Sequence, residues 1–336
     1  MSHTITVRDK DIVVECEAGE TVLDAMERAG FAIPYSCRKG VCASCEGGLC
    51  GGEAQVRGQG HLTGPQEGVK LCQARPLTDI EIAPARIRKV DPVERKVLPG
   101  KVRKIQRLAE DVAAIHLRFP IGNRAPFRAG QYLRVMLPDG DSRNYSMANP
   151  PQKNDALELH IRHVPGGKFS ESILARLAPN DVLEVELPYG EFTLTEAVIP
   201  ALLVATGTGF APIRSIIENQ VRSGAARPLH LYWGGNGSDD IYMRAAMEAL
   251  AERHVWFTFT PVVSGADAGW QGRRGFVHEA VLEDYPDMAG LEVYACGAPV
   301  MIEAARRDFC AKAGLDPDLF FSDAFVPSGD AEAVPA

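Results

Sequence analysis

The sequence lacks three features that would assign it to a membrane, to a nucleic acid or to an exported class. No apolar run approaches the ~20 residues that a bilayer-spanning helix needs. Acidic residues outnumber basic ones, 44 Asp+Glu against 36 Lys+Arg, and the net charge of −8 argues against a basic face for a phosphate backbone. The first ten residues contain no apolar core of a signal peptide. We therefore expect a soluble, cytoplasmic protein, a monomer that binds neither membranes nor nucleic acid.

The remaining composition is that of an ordinary globular protein. Hydrophobic residues make up 46% and charged residues 24% of the 336 residues, which excludes wholesale disorder and collagen-like repeats. At ~100–200 residues per domain, the length predicts two or three domains. No catalytic triad or pair of carboxylates is evident, so we expect cofactors to supply the chemistry.

Four of the eight cysteines lie between positions 37 and 50. In a chain without an export signal, such crowding favours metal binding over disulfides. The order Cys37-x4-Cys42-x2-Cys45 has the spacing of a plant-type ferredoxin, and soft thiolates suit an iron–sulfur cluster. Cys72, further along the chain, is predicted to be the fourth ligand of a 2Fe–2S cluster.

A structural zinc site made of Cys37, Cys42, Cys45 and Cys50 is the alternative. Zinc sites are usually built from two cysteine pairs set well apart, whereas this chain has one cysteine loop. We therefore favour the cluster, although Cys50 competes with Cys72 for the fourth position.

Residues 1–83 are predicted to form a small α+β domain. Two short strands precede a helix that begins at a capping box of Thr21 and Asp24 and ends at Gly30. This order of strand, strand, helix and cysteine loop resembles the β-grasp fold of the plant-type ferredoxins.

Residues 84–99 are predicted to be a linker, because prolines interrupt them and basic residues crowd them. Over 84–104, eight Lys and Arg stand against Asp91 and Glu94, a local charge of +6. We favour a solvated tether. The alternative is a basic seam that docks on an acidic surface of the first domain or of a partner.

The rest of the chain predicts two further domains and a tail. Residues 100–196 alternate as strands separated by Gly and Pro, which indicates a six-stranded antiparallel β-barrel. Residues 197–326 alternate strand and helix, which indicates an α/β domain with a parallel sheet covered on both faces. Residues 327–336 form a short polar tail.

Two strings in the barrel region predict a flavin site. The first, Arg143-Asn144-Tyr145-Ser146, ends one strand, and the second runs from His160-Ile161-Arg162 into the turn Gly166-Gly167-Lys168-Phe169-Ser170. Free N–H groups at a helix start form an anion site, which fits a pyrophosphate. Together the strings resemble the FAD domain of the ferredoxin–NADP⁺ reductase superfamily.

That resemblance implies a role for each residue of the two strings. Arg143 binds the pyrophosphate, Tyr145 stacks on the isoalloxazine ring, and Ser146 lies near flavin N5. The remaining cofactor-binding residues are Asn144, the backbone of His160, Ile161 and Arg162, and, toward the pyrophosphate, Gly167, Lys168, Phe169 and Ser170.

A third string predicts a dinucleotide site. Gly207-Thr208-Gly209-Phe210-Ala211-Pro212 follows a buried strand and opens a helix, and its glycines allow close approach of the backbone to phosphate. It matches the pyridine-nucleotide domain of the same superfamily, as do Tyr232-Trp233-Gly234-Gly235 and Tyr294-Ala295-Cys296-Gly297-Ala298-Pro299-Val300-Met301. The residues that the resemblance implies for NADH binding are Gly207, Thr208, Gly209, Pro212, Gly234, Gly235, Cys296, Gly297 and Met301.

The same resemblance implies which residues lie at the reacting atoms. Cys296 would stand beside the nicotinamide, Phe325 would cover the flavin face, and Ser146 would complete this group.

The order of ferredoxin, FAD barrel and nucleotide domain resembles the reductase components of multicomponent bacterial oxygenases, of the benzoate dioxygenase and phenol hydroxylase reductase kind. The resemblance implies FAD, a 2Fe–2S cluster and NADH, and a terminal oxygenase or an intermediate ferredoxin as electron acceptor. A nicotinamide supplies electrons in pairs, a cluster accepts them singly, and a flavin exchanges both.

Three other functions stay open. The motif strings also resemble the CDP-6-deoxy-glucoseen reductases of dideoxysugar synthesis. A stand-alone flavin or quinone reductase would use its cluster only as a sink. A zinc-bearing regulatory module fused to a flavin domain would follow from the alternative cysteine assignment.

NADH is expected to be the preferred donor. In this superfamily the loop after the second strand of the nucleotide domain meets the ribose that carries the 2′-phosphate of NADPH. That loop, residues 234–242, contains no Arg or Lys, and Asp239 and Asp240 would repel a phosphate. Arg244 is the nearest cation, and Ser238 offers one hydrogen bond.

Overall fold

The computed structural model describes residues 2–35, 38–40, 44–90 and 95–326, in two compact units, Met1–Glu94 and Arg95–Ala336. Cys37, Cys42, Asp91, Glu94 and the tail 327–336 lie outside the described residues. Within the described ranges, no helix is long and apolar enough to cross a membrane.

The first unit is built from a mixed β-sheet and one short helix. Its elements are β1 His3–Val7, β2 Val13–Cys16, α1 Val22–Arg28, β3 Phe31–Ala32, β4 Glu46–Gly51, β5 Glu53–Val56, β6 Gly60–Thr63, β7 Gln66–Lys70, β8 Ala74–Pro76, β9 Ile80–Pro84 and β10 Arg88–Lys89. The main sheet has the order β2-β1-β9-β4-β7, and β1 runs parallel to β9. Thr21 Oγ1 accepts a hydrogen bond from Asp24 N at 3.2 Å, so the N-cap predicted for α1 is confirmed.

The second unit begins with an antiparallel barrel. Its strands are β11 Lys96–Arg107, β12 Val112–Arg118, β13 Tyr132–Met136, β14 Ser142–Ser146, β15 Ala156–Arg162 and β16 Val182–Tyr189. They form one six-stranded sheet in the order β14-β13-β16-β11-β12-β15. A bridge between Met147 and Leu159 joins its two edges, so the predicted six-stranded barrel is confirmed. Alternate residues such as Leu133, Val135 and Ile115 fill the interior, because successive side chains of a strand face opposite sides.

The second unit ends with a parallel α/β domain. Its elements are β17 Ala201–Thr206, α2 Phe210–Ser223, β18 Leu229–Gly235, α3 Arg244–Arg253, β19 Phe257–Val263, β20 Arg273–Arg274, α4 Val277–Asp284, β21 Glu292–Gly297, α5 Pro299–Ala313 and β22 Phe320–Ala324. The sheet order is β20-β19-β18-β17-β21-β22, and every pairing in it is parallel. The order reverses beside β17, which is where open α/β sheets form a crevice at the carboxyl ends of their strands.

The stretch 84–99 is less of a tether than its composition suggests. Arg88–Lys89 pair with Phe31–Ala32 in the first unit, and Lys96 already begins barrel strand β11, paired with Leu187. The guanidinium of Arg95 lies 4.2 Å from the centre of the Tyr189 ring. Backbone pairing therefore occurs at Arg88–Lys89 and ring stacking at Arg95, while the side chains of Arg88 and Lys89 are exposed.

Candidate flavin and nicotinamide site

A cleft of about 640 Å³ lies at the carboxyl ends of β17, β18 and β21. Gly207, Thr208, Gly234, Gly235, Gly297, Met301 and Phe325 line it, seven residues that the motifs named. Arg162 of barrel strand β15 lines the same cleft, so it is shared by the barrel and the α/β domain. This is the place where a parallel sheet binds a dinucleotide.

Backbone packs closely at two glycines of the cleft region: Gly297 lines the cleft, and Gly209 is buried next to its lining residue Thr208. A Cβ on Gly209 would lie 2.3 Å from the carbonyl oxygen of Cys296. A Cβ on Gly297, whose φ is +133°, would lie 2.2 Å from Thr206 Oγ1. Only glycine fits these contacts, and α2 begins directly after the turn Gly207–Gly209, with Pro212 in its first turn. The turn therefore presents main-chain N–H groups and the positive end of a 14-residue helix.

Cys296 and Phe325 take different positions at the cleft. The Cys296 side chain is fully buried in the hydrophobic core, and burial raises the pKa of its thiol well above the usual value. Phe325 lines the cleft, and its N–H donates to the carbonyl of Gly297 at 2.8 Å. Phe325 can therefore contact a ring bound in the cleft. Cys296 is a neutral side chain that packs behind the residues that line the cleft.

Two cations expected to bind pyrophosphate lie on the barrel next to acidic residues. Arg143 Nη1 donates to Asp141 Oδ2 at 2.6 Å, and Lys168 Nζ donates to Asp139 Oδ2 at 2.9 Å. Lys168 Nζ also lies 3.9 Å from Asp141 Oδ2. These pairs bring Arg143 and Lys168 together although they are distant in sequence. A pyrophosphate would compete with both carboxylates for the same donors.

The glycine-rich turn after β15 is closed by its own side chains. Ser170 Oγ accepts a hydrogen bond from Val164 N at 3.0 Å, and Gly166 N donates to Glu171 Oε2 at 2.5 Å. The following helix, Lys168–Ile173, is a short π-helix. The Ser170 hydroxyl therefore holds the turn, and a pyrophosphate would meet this segment through Lys168 and the backbone.

Five further barrel residues differ in how their side chains are placed. Ile161 and Phe169 are buried in the barrel core, so only their main chain can reach a cofactor. Tyr145 packs over Phe169 with ring centres 5.2 Å apart, and burial raises the pKa of its hydroxyl. Ser146 is buried at the end of β14, opposite Tyr132, while Asn144 on the same strand is partly exposed.

The His160 side chain belongs to a buried network between the barrel and the α/β domain. Its ring nitrogens lie 3.0 Å from Glu158 Oε1 and 3.0 Å from the hydroxyl of Tyr242. Arg214 of α2 donates to Glu158 Oε1 at 2.5 Å. Burial alone would raise the pKa of Glu158, but the His160 hydrogen bond and the Arg214 charge lower it to about 2. The carboxylate is therefore ionised and fixed between two domains, a role that the motif strings did not reveal.

Asp240 has a structural role in the loop 234–242, in addition to the repulsion of a phosphate that its charge predicts. Asp240 accepts hydrogen bonds from the N–H groups of Asn236 and Gly237 and pairs with Arg162 at 3.1 Å. This carboxylate thus shapes the loop and holds a barrel arginine. Arg244, the nearest cation along the chain, donates to Glu248 at 2.6 Å and its guanidinium lies 4.7 Å from the Trp270 ring centre, whereas the cation that contacts the loop is Arg162.

The structure adds residues to the cleft that the sequence reasoning missed. The additional lining residues include Ser264, Phe276, His278, Val300 and Arg307. Ser264 follows β19 and Phe276 precedes α4, so both lie where the third strand of the domain ends. The rule that ligands bind beyond the carboxyl ends of adjacent parallel strands would have identified that segment.

In the first unit, two of the predicted cluster ligands are described and lie at one end of β4. Cys45 and Cys72 are both buried, and Leu71 N donates to the carbonyl of Cys45 at 3.2 Å. Cys50 lies toward the other end of β4, on the order of 15 Å away by the rise of an extended strand. This geometry favours Cys72 over Cys50 as a neighbour of Cys45.

The residues present fit the cofactors that the motifs imply. Buried thiols at one end of β4 suit a cluster, two adjoining cations suit a pyrophosphate, and a glycine-walled cleft suits a dinucleotide.

Comparison with known families agrees with this division. Residues 5–77 match the 2Fe-2S iron-sulfur cluster binding domain, residues 99–194 the oxidoreductase FAD-binding domain, and residues 203–307 the oxidoreductase NAD-binding domain. FAD, NAD and a 2Fe–2S cluster are thus the cofactors of these domains.

Similar proteins cover the whole length. The chain is 38% identical to terephthalate 1,2-dioxygenase reductase component 2 of Comamonas sp., over 98% of this chain and 99% of that one. It is also 38% identical to the CDP-6-deoxy-L-threo-D-glycero-4-hexulose-3-dehydrase reductase of Yersinia pestis, over 98% and 100% of the two chains. The crystal structure of the Amycolatopsis cytochrome P450 reductase GcoB superposes with a TM-score of 0.78 at 31% identity, covering 97% of this chain and 100% of the other. The chain therefore belongs to the family of oxidoreductases that join a 2Fe–2S ferredoxin domain to an FAD-binding barrel and an NAD-binding α/β domain.

Proposed function

We propose that this protein carries electrons from NADH through FAD and a 2Fe–2S cluster to the terminal oxygenase, or to the intermediate ferredoxin, of a multicomponent oxygenase system. The observation that carries the proposal is the shared cleft, in which Arg162 of the flavin barrel and Gly207, Gly297 and Phe325 of the nucleotide domain line one space. A cleft lined by both the flavin barrel and the nucleotide domain would place a nicotinamide next to a flavin. Reductase components of dioxygenase and monooxygenase systems are among its full-length relatives.

The chain's own residues bind and orient the cofactors in this proposal. When bound, FAD takes electrons in pairs from NADH and gives them up singly, and the cluster passes single electrons onward. Arg143 and Lys168 exchange Asp141 and Asp139 for the FAD pyrophosphate, and Tyr145 lies against the ring. Ser146 donates a hydrogen bond at the reacting edge. Phe325 covers the face that the nicotinamide must reach, and Cys296 keeps the wall behind it apolar and uncharged.

Cys37, Cys42, Cys45 and Cys72 are the proposed cluster ligands. The backbone hydrogen bond between Leu71 and Cys45 supports Cys72 as the fourth ligand. Cys50 lies toward the far end of β4, which argues against Cys50 as that ligand. The zinc alternative needs Cys50 and is therefore disfavoured by the same geometry.

The proposal includes NADH as donor, because protein partners already engage Arg244 near the ribose loop. It also includes a cytoplasmic monomer without a nucleic-acid or membrane partner, for which the net charge of −8 is the support. Size-exclusion chromatography with light scattering tests the monomer directly.

The decisive experiment compares Cys72→Ser with Cys50→Ser in the full chain. We expect the parent and Cys50→Ser to hold two irons, two sulfides and one FAD, as a 2Fe–2S flavoprotein must. Cys72→Ser should lose the iron and NADH-driven reduction of cytochrome c, but keep FAD and reduction of ferricyanide. Parental rates toward cytochrome c without iron would contradict the cluster as the electron exit, and zinc in place of iron would contradict the cofactor.

The alternative acceptor is a deoxysugar dehydrase, because the Yersinia reductase is as similar to this chain as the terephthalate dioxygenase reductase. Purified acceptors distinguish the two. NADH oxidation stimulated by a terminal oxygenase supports the first function, and stimulation by a CDP-hexulose dehydrase alone supports the second.

A further inference from the structure

The residue after Cys72 contacts Arg38, which follows Cys37 in the sequence. The Gln73 side chain is 8% exposed, and its Nε2 donates to the carbonyl of Arg38 at 2.7 Å and to the carbonyl of Cys72 at 2.9 Å. The same nitrogen lies 3.8 Å from Cys72 Sγ. Two carbonyl acceptors around one amide group require the nitrogen, rather than the oxygen, at this end.

Residues 38–40 fit closely around this side chain. A Cβ on Gly40 would lie 3.0 Å from Gln73 Cγ, so the glycine leaves room for the glutamine. Arg38 is itself anchored to α1, because its Nη1 donates to Asp24 at 2.6 Å and its Nη2 pairs with Glu27. Gln73 therefore joins the carbonyl of Arg38, a residue anchored to α1, to the carbonyl of Cys72.

We propose that Gln73 is a positioning residue for the iron–sulfur cluster, which holds the cysteine loop to Cys72 and raises the reduction potential of the cluster. The inference rests on the proposed ligation by Cys72. A reduced cluster carries one more negative charge than an oxidised one. The positive end of the Gln73 amide, 3.8 Å from a ligand sulfur, stabilises the reduced form more than the oxidised form.

The test removes the amide at constant side-chain length. Gln73→Met, in the holoprotein, keeps the apolar stem and loses both donors. We expect an EPR-monitored redox titration to give a midpoint potential more negative than the parent's, and iron release to a chelator to be faster. Gln55→Met is the matched control, because Gln55 is exposed on β5 and should leave both measurements unchanged.

Gln73→Glu provides the second variant should Gln73→Met bind no cluster. It is isosteric and places a carboxylate where the amide donates, so a more negative midpoint is again expected. A parental or higher midpoint in either iron-loaded variant would overturn the inference.

The outcome of Cys72→Ser separates the two proposals. Loss of iron there, together with an unchanged potential in Gln73→Met, leaves the ligation standing and overturns the role of Gln73. Full iron content in Cys72→Ser overturns the ligation and the inference with it.

Discussion

The two phosphate sites proposed for the second unit differ in the groups that build them. On the barrel, Arg143 and Lys168 supply charged side chains that neighbouring aspartates hold in place. In the cleft, the turn Gly207–Gly209 supplies backbone N–H groups at the start of α2. The first site would recognise phosphate through charged side chains, and the second through main-chain N–H groups and the dipole of a helix.

This difference determines what each site tolerates. A site made of side chains responds to charge and ionic strength, because screening weakens every pair in it. A site made of backbone is limited in addition by space, because a single carbon added at Gly209 or Gly297 would collide with neighbouring main-chain atoms. The network of Glu158, His160, Arg214 and Tyr242 joins the two domains that carry these sites.

The largest expected effect comes from breaking that junction with Arg214→Met. The substitution leaves Glu158 buried opposite His160 without its arginine, and removing one partner of a buried pair costs about 3–5 kcal/mol in free energy of unfolding. Denaturant unfolding monitored by flavin fluorescence measures it. Arg244→Met is the control, because its pair with Glu248 is exposed and should contribute about 1 kcal/mol or less. Equal losses in the two variants would contradict the structural role of the junction.

The same junction predicts a pH dependence. The pKa of Glu158 in the folded protein is lowered to about 2 from an ordinary 4.5. Its contribution to the free energy of unfolding is therefore present above pH 4.5 and is lost as the pH falls from 4.5 toward 2. Parent and Glu158→Gln should therefore differ in stability by a constant amount above pH 5, and the gap should narrow in acid. A stability difference between parent and Glu158→Gln that grows in acid would contradict a lowered pKa for Glu158.

The next effect concerns the backbone site. In Gly209→Ala the added carbon collides with the Cys296 carbonyl, so the turn must shift. Overpacking of this kind costs ~1–3 kcal/mol. If that cost falls on NADH binding, kcat/KM for NADH decreases by about tenfold to hundredfold. FAD content should stay at one per chain. Gly51→Ala, in the first unit, would make only an ordinary contact with Glu81 Cβ at 3.9 Å and serves as the control. A parental KM in Gly209→Ala would show that the dinucleotide does not use this turn.

A smaller effect is expected at the side-chain site. Arg143→Gln removes a charged hydrogen bond of ~1.5 kcal/mol or more and should weaken FAD binding by about tenfold. Asp141→Asn should act in the opposite direction, because Arg143 no longer has a competing carboxylate. Equilibrium dialysis at low and high salt measures both, with the exposed Arg222→Gln as control. Identical salt dependence in parent and Arg143→Gln would argue against pyrophosphate at this arginine.

The smallest effect is the choice between NADH and NADPH. Arg244 is engaged by Glu248 and Trp270, so the extra phosphate gains little at the ribose loop, and NADH should be favoured several-fold in kcat/KM. Steady-state kinetics with both donors decide it, and a ratio at or below one would refute this interpretation of the loop.

Local patterns in the sequence determined most of the elements and the order of the domains. The elements β17, α4 and α5 belong to the alternation of strand and helix predicted for residues 197–326, because the spacing of apolar residues along one element is local information. The glycine strings likewise predicted where a cleft forms, since each spans a single strand-to-helix turn.

Only the tertiary structure decided which charged and polar groups meet. Arg214 and Glu158 are 56 positions apart, Arg162 and Asp240 are 78 apart, and Gln73 and Arg38 are 35 apart. No period or spacing links such residues, because their contact depends on which strands and helices become neighbours. By itself the sequence determined the elements, the domain order and the motif turns. The tertiary packing determined that Glu158 is ionised, that Asp240 shapes its loop, and that Gln73 donates to Arg38.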